Sequence, residues 1–125
     1  MHDKEKKINK LFIYWLCTSL ILVYFTILIG GLTRLTDSGL SITEWELFKG
    51  ILPPLTDKSW YLYFEAYKKI PQYELINSNM SLSEFKVIFY WEYFHRMIAR
   101  IIGLFFMIPL IFFYLSKKIN RRYLN

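Results

Sequence analysis

Two long apolar runs, an excess of basic residues confined to the two ends, and helix-start signals in between predict an all-α integral membrane fold. It consists of two transmembrane helices joined by a partly helical outer loop. The chain has 125 residues, of which 54% are hydrophobic and 20% aromatic, too apolar for a disordered protein and too short for a large enzyme. Its expected divisions are a basic tail over residues 1–10, a first span over 11–33, an outer loop over 34–96 that includes the start of the second helix, a second span over 97–115, and a basic tail over 116–125.

The first span reads LFIYWLCTSLILVYFTILIGGLT, 23 residues without a charge. At about 1.5 Å per residue, a helix of that length crosses a hydrocarbon layer of about 30 Å. A cleaved signal peptide has a shorter apolar region and a small-x-small cleavage site, and Gly30-Gly31-Leu32-Thr33-Arg34 matches that poorly.

The second span carries Arg100 near its start and Pro109 within it. Membrane helices tolerate proline, which frees a carbonyl that a neighbour can satisfy. The alternative is a re-entrant or interfacial helix; the charge-free run 101–115 and the Lys117-Lys118 anchor argue for a span.

The 16 basic and 10 acidic residues give a net charge of +6. Residues 1–10 contribute +2, residues 34–100 contribute zero, and Lys117, Lys118, Arg121 and Arg122 contribute +4. A nucleic-acid binder carries a basic stripe on a folded face, which is not found here. Positive flanks stay on the cytoplasmic side, so both termini are expected in the cytoplasm and the connecting loop on the outer face, with the tails against anionic lipid. The single cysteine, Cys17, excludes an intrachain disulfide and a cysteine-based zinc or iron–sulfur site.

Within the loop, Ser38-Gly39 reads as a turn and Pro53-Pro54 ends what precedes it. Thr56 or Asp57 caps a short helix whose Trp60, Tyr63, Phe64 and Tyr67 form one aromatic face, and Pro71 stops it. That face is buried either on other outer segments or in the lipid headgroup layer. Ser81 and Glu84 form a capping box, with Met80 and Phe85 spaced as a hydrophobic staple. An unbroken helix from Leu82 to Leu115 is roughly 51 Å long, so it enters the membrane only near residues 91–96.

At 100° per residue, Glu92, His95, Arg96, Ala99 and Gly103 share one stripe of that helix. Ionisable groups near hydrocarbon face a bundle interior and have partners, while small residues admit a helix or a flat ligand. A lone histidine there is a haem-iron ligand, a proton carrier or an interfacial side chain. Glu92 and Arg96 are equally compatible with a plain i, i+4 ion pair. Arginine binds a haem propionate through paired hydrogen bonds, and neutral imidazole ligates iron. Arg34, at the outer end of the first span, is a second cation at similar depth or an ordinary interfacial anchor.

The run Gly30-Gly31-Leu32-Thr33-Arg34-Leu35-Thr36-Asp37-Ser38-Gly39-Leu40-Ser41-Ile42, then Glu44-Trp45 and 50–55 (GILPPL), resembles the first span and first outer loop of haem A synthases. Trp60, Phe64, Tyr67-Lys68, Pro71, Tyr73 and 81–86 (SLSEFK) keep the family order, and Trp91-Glu92-Tyr93-Phe94-His95-Arg96 contains its Glu-x-x-His-Arg motif. The likeness covers roughly residues 15–115 and fits the subclass without loop cysteines found in alphaproteobacteria and mitochondria.

The resemblance implies an oxidoreductase of the bacterial inner membrane that oxidises a methyl group of haem O, the substrate, to the formyl group of haem A for terminal oxidase assembly. It also implies haem b as a cofactor, an eight-helix bundle in two halves, and haem iron held by paired histidines. By position, His95 is then an iron ligand and Glu92 the catalytic carboxylate; Arg96 and Arg34, by their own chemistry and depth, are expected as cofactor-binding cations. Two of eight spans are present, and the other histidine, His2, lies in the opposite tail. The expectation is therefore the amino-terminal portion of such an enzyme, from a truncated, split or fragmentary gene. It would be inactive unless another chain or a further copy supplies the missing helices. The rival readings are a two-span interaction protein without haem and an inactive gene remnant.

Overall fold

A computed structural model describes residues 2–44 and 49–115, with side chains over 6–44 and 50–115. Trp45 of the resemblance motif and the basic tail 116–125 lie outside the described residues, as does the side chain of His2. The described residues are helical, with no strand among them: α1 His2–Leu35, a 3-10 turn Lys49–Ile51, α2 Asp57–Tyr67, α3 Pro71–Ile76 and α4 Leu82–Leu115. Two helical stretches, Lys6–Leu35 and Leu82–Leu115, are long and apolar enough to cross a membrane. Only 11% of the most apolar stretch of each is buried within the chain, the reverse of a soluble protein's core helix.

The chain divides into two compact units, one comprising the described parts of Met1–Ile27 and Ile98–Asn125, the other Leu28–Met97. In the first, contact is aromatic. The Trp15 ring stacks on Phe106 with centroids 5.0 Å apart, and Phe12 meets Phe113 edge to face at 5.5 Å. Pro109 lies inside α4 and has no N–H, so the Phe105 carbonyl, four residues back, loses its helical donor. The Trp15 indole Nε1–H supplies one from α1 at 3.1 Å.

In the second unit, α2 begins as its sequence predicts. The Thr56 hydroxyl accepts from the Ser59 amide at 3.2 Å, and the Thr56 amide donates to Ser59 Oγ at 3.2 Å. The aromatic face of α2 is buried on α4: Trp60, Phe64 and Tyr67 join Phe85, Ile88 and Phe89 in one cluster, with Tyr63 packed at its margin. Of the two destinations open from the sequence, packing on another segment of the chain is the one adopted. Burial raises the Tyr67 phenol pKa, opposed by the hydrogen bond that Asn77 Nδ2 donates to it at 2.8 Å.

Pro71 does more than stop α2, which has already ended at Tyr67. It occupies the first position of α3, where its missing N–H costs nothing and its fixed φ suits a helix start. α4 opens on the expected box, the Ser81 amide donating to Glu84 Oε2 at 2.8 Å and the Glu84 amide to Ser81 Oγ at 3.4 Å. Met80 packs against the cluster containing Phe85, as a staple requires.

Candidate haem-binding site

The site is organised by the way α1 ends. The Ser38 amide donates to the Thr33 carbonyl at 3.0 Å and the Asp37 amide to the Arg34 carbonyl at 3.2 Å, the paired bonds of a Schellman motif. Its left-handed position is filled by Asp37, with φ of 51°, where glycine is usual and aspartate is tolerated. This reversal carries the chain back along α4, with Ser38 and Ser41 fully buried.

Glu92 meets the returning chain. The residue is 3% exposed, and its Oε2 accepts from the Ser41 hydroxyl at 2.7 Å and from the Ile42 amide at 2.8 Å. Oε1 accepts from Arg96 Nη2 at 2.5 Å, and the same nitrogen donates to the Ile42 carbonyl at 3.3 Å. The i, i+4 ion pair expected from spacing is therefore real, but it is not a surface pair. It lies against a loop, with the Glu92 side chain 4% and the Arg96 side chain 23% exposed, so losing the cation strands a buried carboxylate.

His95, one turn from Glu92, is half-buried with its ring against α1. A Cβ at Gly30 would stand 2.9 Å from His95 Nε2 and only slightly farther, 3.4 and 3.5 Å, from the two flanking ring carbons. A position on the in-plane lone-pair axis would be distinctly farther from those carbons. Gly30 thus lies under the face of the imidazole and leaves that axis open. Among the described residues no hydrogen bond engages the ring.

A cavity of about 480 Å³ joins these groups, with Arg34, Asp37, Gln72, Glu92, His95 and Arg96 on its wall beside Gly30, Thr33 and the Gly39–Leu40 turn. All four candidate residues from the sequence, Arg34, Glu92, His95 and Arg96, are brought together here. Arg34 is exposed in the last turn of α1. The small end of the stripe does not join them: Ala99 is exposed and nothing lies within 4 Å of a Cβ at Gly103.

Sequence reasoning missed Gly30, Ser41, Ile42 and Gln72 as site residues. The first three stand in the resemblance motif without an assigned role. Gln72 gives no sequence signal at all; its Nε2 donates to the Asp37 carbonyl at 2.6 Å, and its Oε1 is buried without a partner among the described residues.

The donor set fits haem better than a bare ion. No cluster of three His, Cys, Asp or Glu exists among the described residues. A porphyrin brings its own four nitrogens and asks of the protein an unclaimed imidazole and cations for its carboxylates, which His95, Arg34 and Arg96 offer.

Residues 13–125 match the family model described as cytochrome oxidase assembly protein. The chain is 60% identical to a haem A synthase of Pelagibacter ubique over 89% of its own length and 33% of the relative's. It is 50% identical to one of Agrobacterium fabrum over 96% and 33%, respectively. It is 48% identical to a haem A synthase–mitochondrial ferredoxin fusion protein of Schizosaccharomyces pombe over 94% and 19%. The chain thus spans about a third of the length of the first two, and no solved structure matches it. Two apolar helices and this kinship assign the chain to a membrane. On a match that runs through both long helices and the cavity between their polar residues, the chain belongs to the cytochrome oxidase assembly protein family, whose members here are haem A synthases.

Proposed function

We propose that the chain contributes the first two spans, and one haem site, of an oxidoreductase that oxidises a methyl group of haem O to the formyl group of haem A. The observation that carries this reading is the open imidazole of His95 seated on Gly30 in a cavity that also holds Arg34 and Arg96. When bound, haem supplies the iron and, as haem O, the methyl group to be oxidised; haem b is the resident cofactor of the whole assembly. The chain's own residues bind and orient: His95 would offer a ring nitrogen to the iron, Arg96 and Arg34 would pair with propionates, and Glu92 is required for the reaction. The bacterial inner membrane holds the chain with both termini cytoplasmic and the cavity at the outer face, as the basic flanks favour. Further helices complete the bundle and supply a second histidine.

Two measurements test this. The chain purified in detergent with ferric haem b should give a haem absorption band that His95→Ala abolishes; a band unchanged by the substitution removes His95 as ligand and favours an interaction protein. Co-expressed with the remaining helices of a relative, it should yield haem A by chromatography, and conversion should stop when either piece is omitted.

A further inference from the structure

We propose that Glu92 and Arg96 clamp the backbone N–H and C=O of Ile42, and that Ser41 is a positioning residue for the cavity, acting through Glu92. The Ile42 N–H is held by Glu92 Oε2 and the Ile42 C=O by Arg96 Nη2, while Arg96 Nη2 also binds Glu92 Oε1. The result is a closed ring. Two opposite charges one helical turn apart grip the donor and the acceptor of a single residue in a segment that carries no regular structure of its own.

Ser41 completes the clamp. Its one hydroxyl proton has three acceptors in range, the Ser38 carbonyl at 2.9 Å, the Ile88 carbonyl at 3.2 Å and Glu92 Oε2 at 2.7 Å. The shortest of these is also the charged one, so the carboxylate takes it. Glu92 then has three donors on two oxygens in a 3% exposed position, and it leaves them only by unpairing a half-buried amide and a cation. That geometry suits a fixed strut. What it fixes borders the cavity: the Gly39–Leu40 turn on one side and the Arg96 guanidinium on the other. The clamp therefore sets where the cation stands relative to His95. This last step rests on the reading of the cavity as a haem site.

The test has two arms on the chain in detergent. In the first, without haem, hydrogen exchange is followed over residues 38–44. Ser41→Ala and Glu92→Gln should each speed exchange of the Ile42 amide by roughly tenfold or more, and Ser41→Thr, which keeps the hydroxyl, should exchange more slowly than Ser41→Ala. Wild-type protection in both Ser41→Ala and Glu92→Gln would overturn the clamp. In the second arm, ferric haem b is titrated in. Ser41→Ala should weaken binding roughly tenfold or displace the absorption maximum, at unchanged helical circular dichroism, with Ser41→Thr recovering part of the loss. Normal haem affinity and spectrum in Ser41→Ala, alongside raised exchange, would overturn the positioning role. A wild-type chain that binds no haem defeats the haem reading, while the exchange arm still decides the clamp.

Discussion

The unit Leu28–Met97 and the unit formed by the rest of the two long helices bury their side chains in different ways. In Leu28–Met97, six large apolar residues from α2 and α4 close into one core, and a partly buried charged pair lies against a loop. In the other unit the buried side chains among the described residues are Trp15, Ser19 and Phe113, and most of their aliphatic neighbours remain exposed within the chain. The connecting segment thus carries its own core, as a small soluble domain does. The spans have polar groups satisfied by helix geometry and apolar faces left for lipid or further helices.

The largest expected effect breaks the compact side of this contrast. Phe85 is fully buried and rings with Phe64, Tyr67 and Phe89, so Phe85→Ala should cost about 3–5 kcal/mol in unfolding of the Leu28–Met97 unit, read by near-UV circular dichroism. A loss below about 1 kcal/mol would mean that the segment is held by lipid, not by its own core.

Glu92→Ala comes next, at about 2–3 kcal/mol in the same measurement, because it leaves the Ile42 amide and the Ser41 hydroxyl without the carboxylate and Arg96 without its counter-ion. Glu92→Ala with Arg96→Ala should cost less than the sum of the two single changes, which is how a buried pair differs from a surface one.

Gly30→Ala sharpens the site. Its Cβ would stand 2.9 Å from His95 Nε2, so the imidazole or α1 must shift, at about 1–3 kcal/mol. Haem b affinity, measured by absorbance titration, should fall, whereas Gly31→Ala, with nothing within 4 Å, should leave it unchanged.

The smallest effect belongs to the spans. Trp15→Phe keeps a ring but strands the Phe105 carbonyl, for about 1–2 kcal/mol in denaturation of the detergent-solubilised chain. In a Pro109→Ala background, which restores the helical donor, the same change should cost measurably less.

Much of this was legible before any coordinates. Charge-free runs announced both long helices, Thr56 and the Ser81/Glu84 box marked two helix starts, and the 3.6-residue period of Trp60, Phe64 and Tyr67 found the buried face. The stripe of Glu92, His95 and Arg96 marked the cavity. What stayed hidden has a common cause. Ser41 and Ile42 meet Glu92 across 50 or so residues of sequence, and Ile42 does so through its backbone, on which residue type leaves no mark. Gln72 is likewise held to a carbonyl, that of Asp37. Gly30 acts by lacking a side chain, and glycine in a membrane helix has many ordinary uses. Pro71 was read as a stop because proline ends helices, yet it starts them equally well at the first position.

The tie between Trp15 and the Phe105 carbonyl bears on how such a sequence can change over generations. A proline arising at position 109 is tolerable where an indole already waits on the facing helix, and once it is there the indole is no longer free to be lost. The two positions are then coupled in energy, and reversion of the proline is the step that would release the tryptophan.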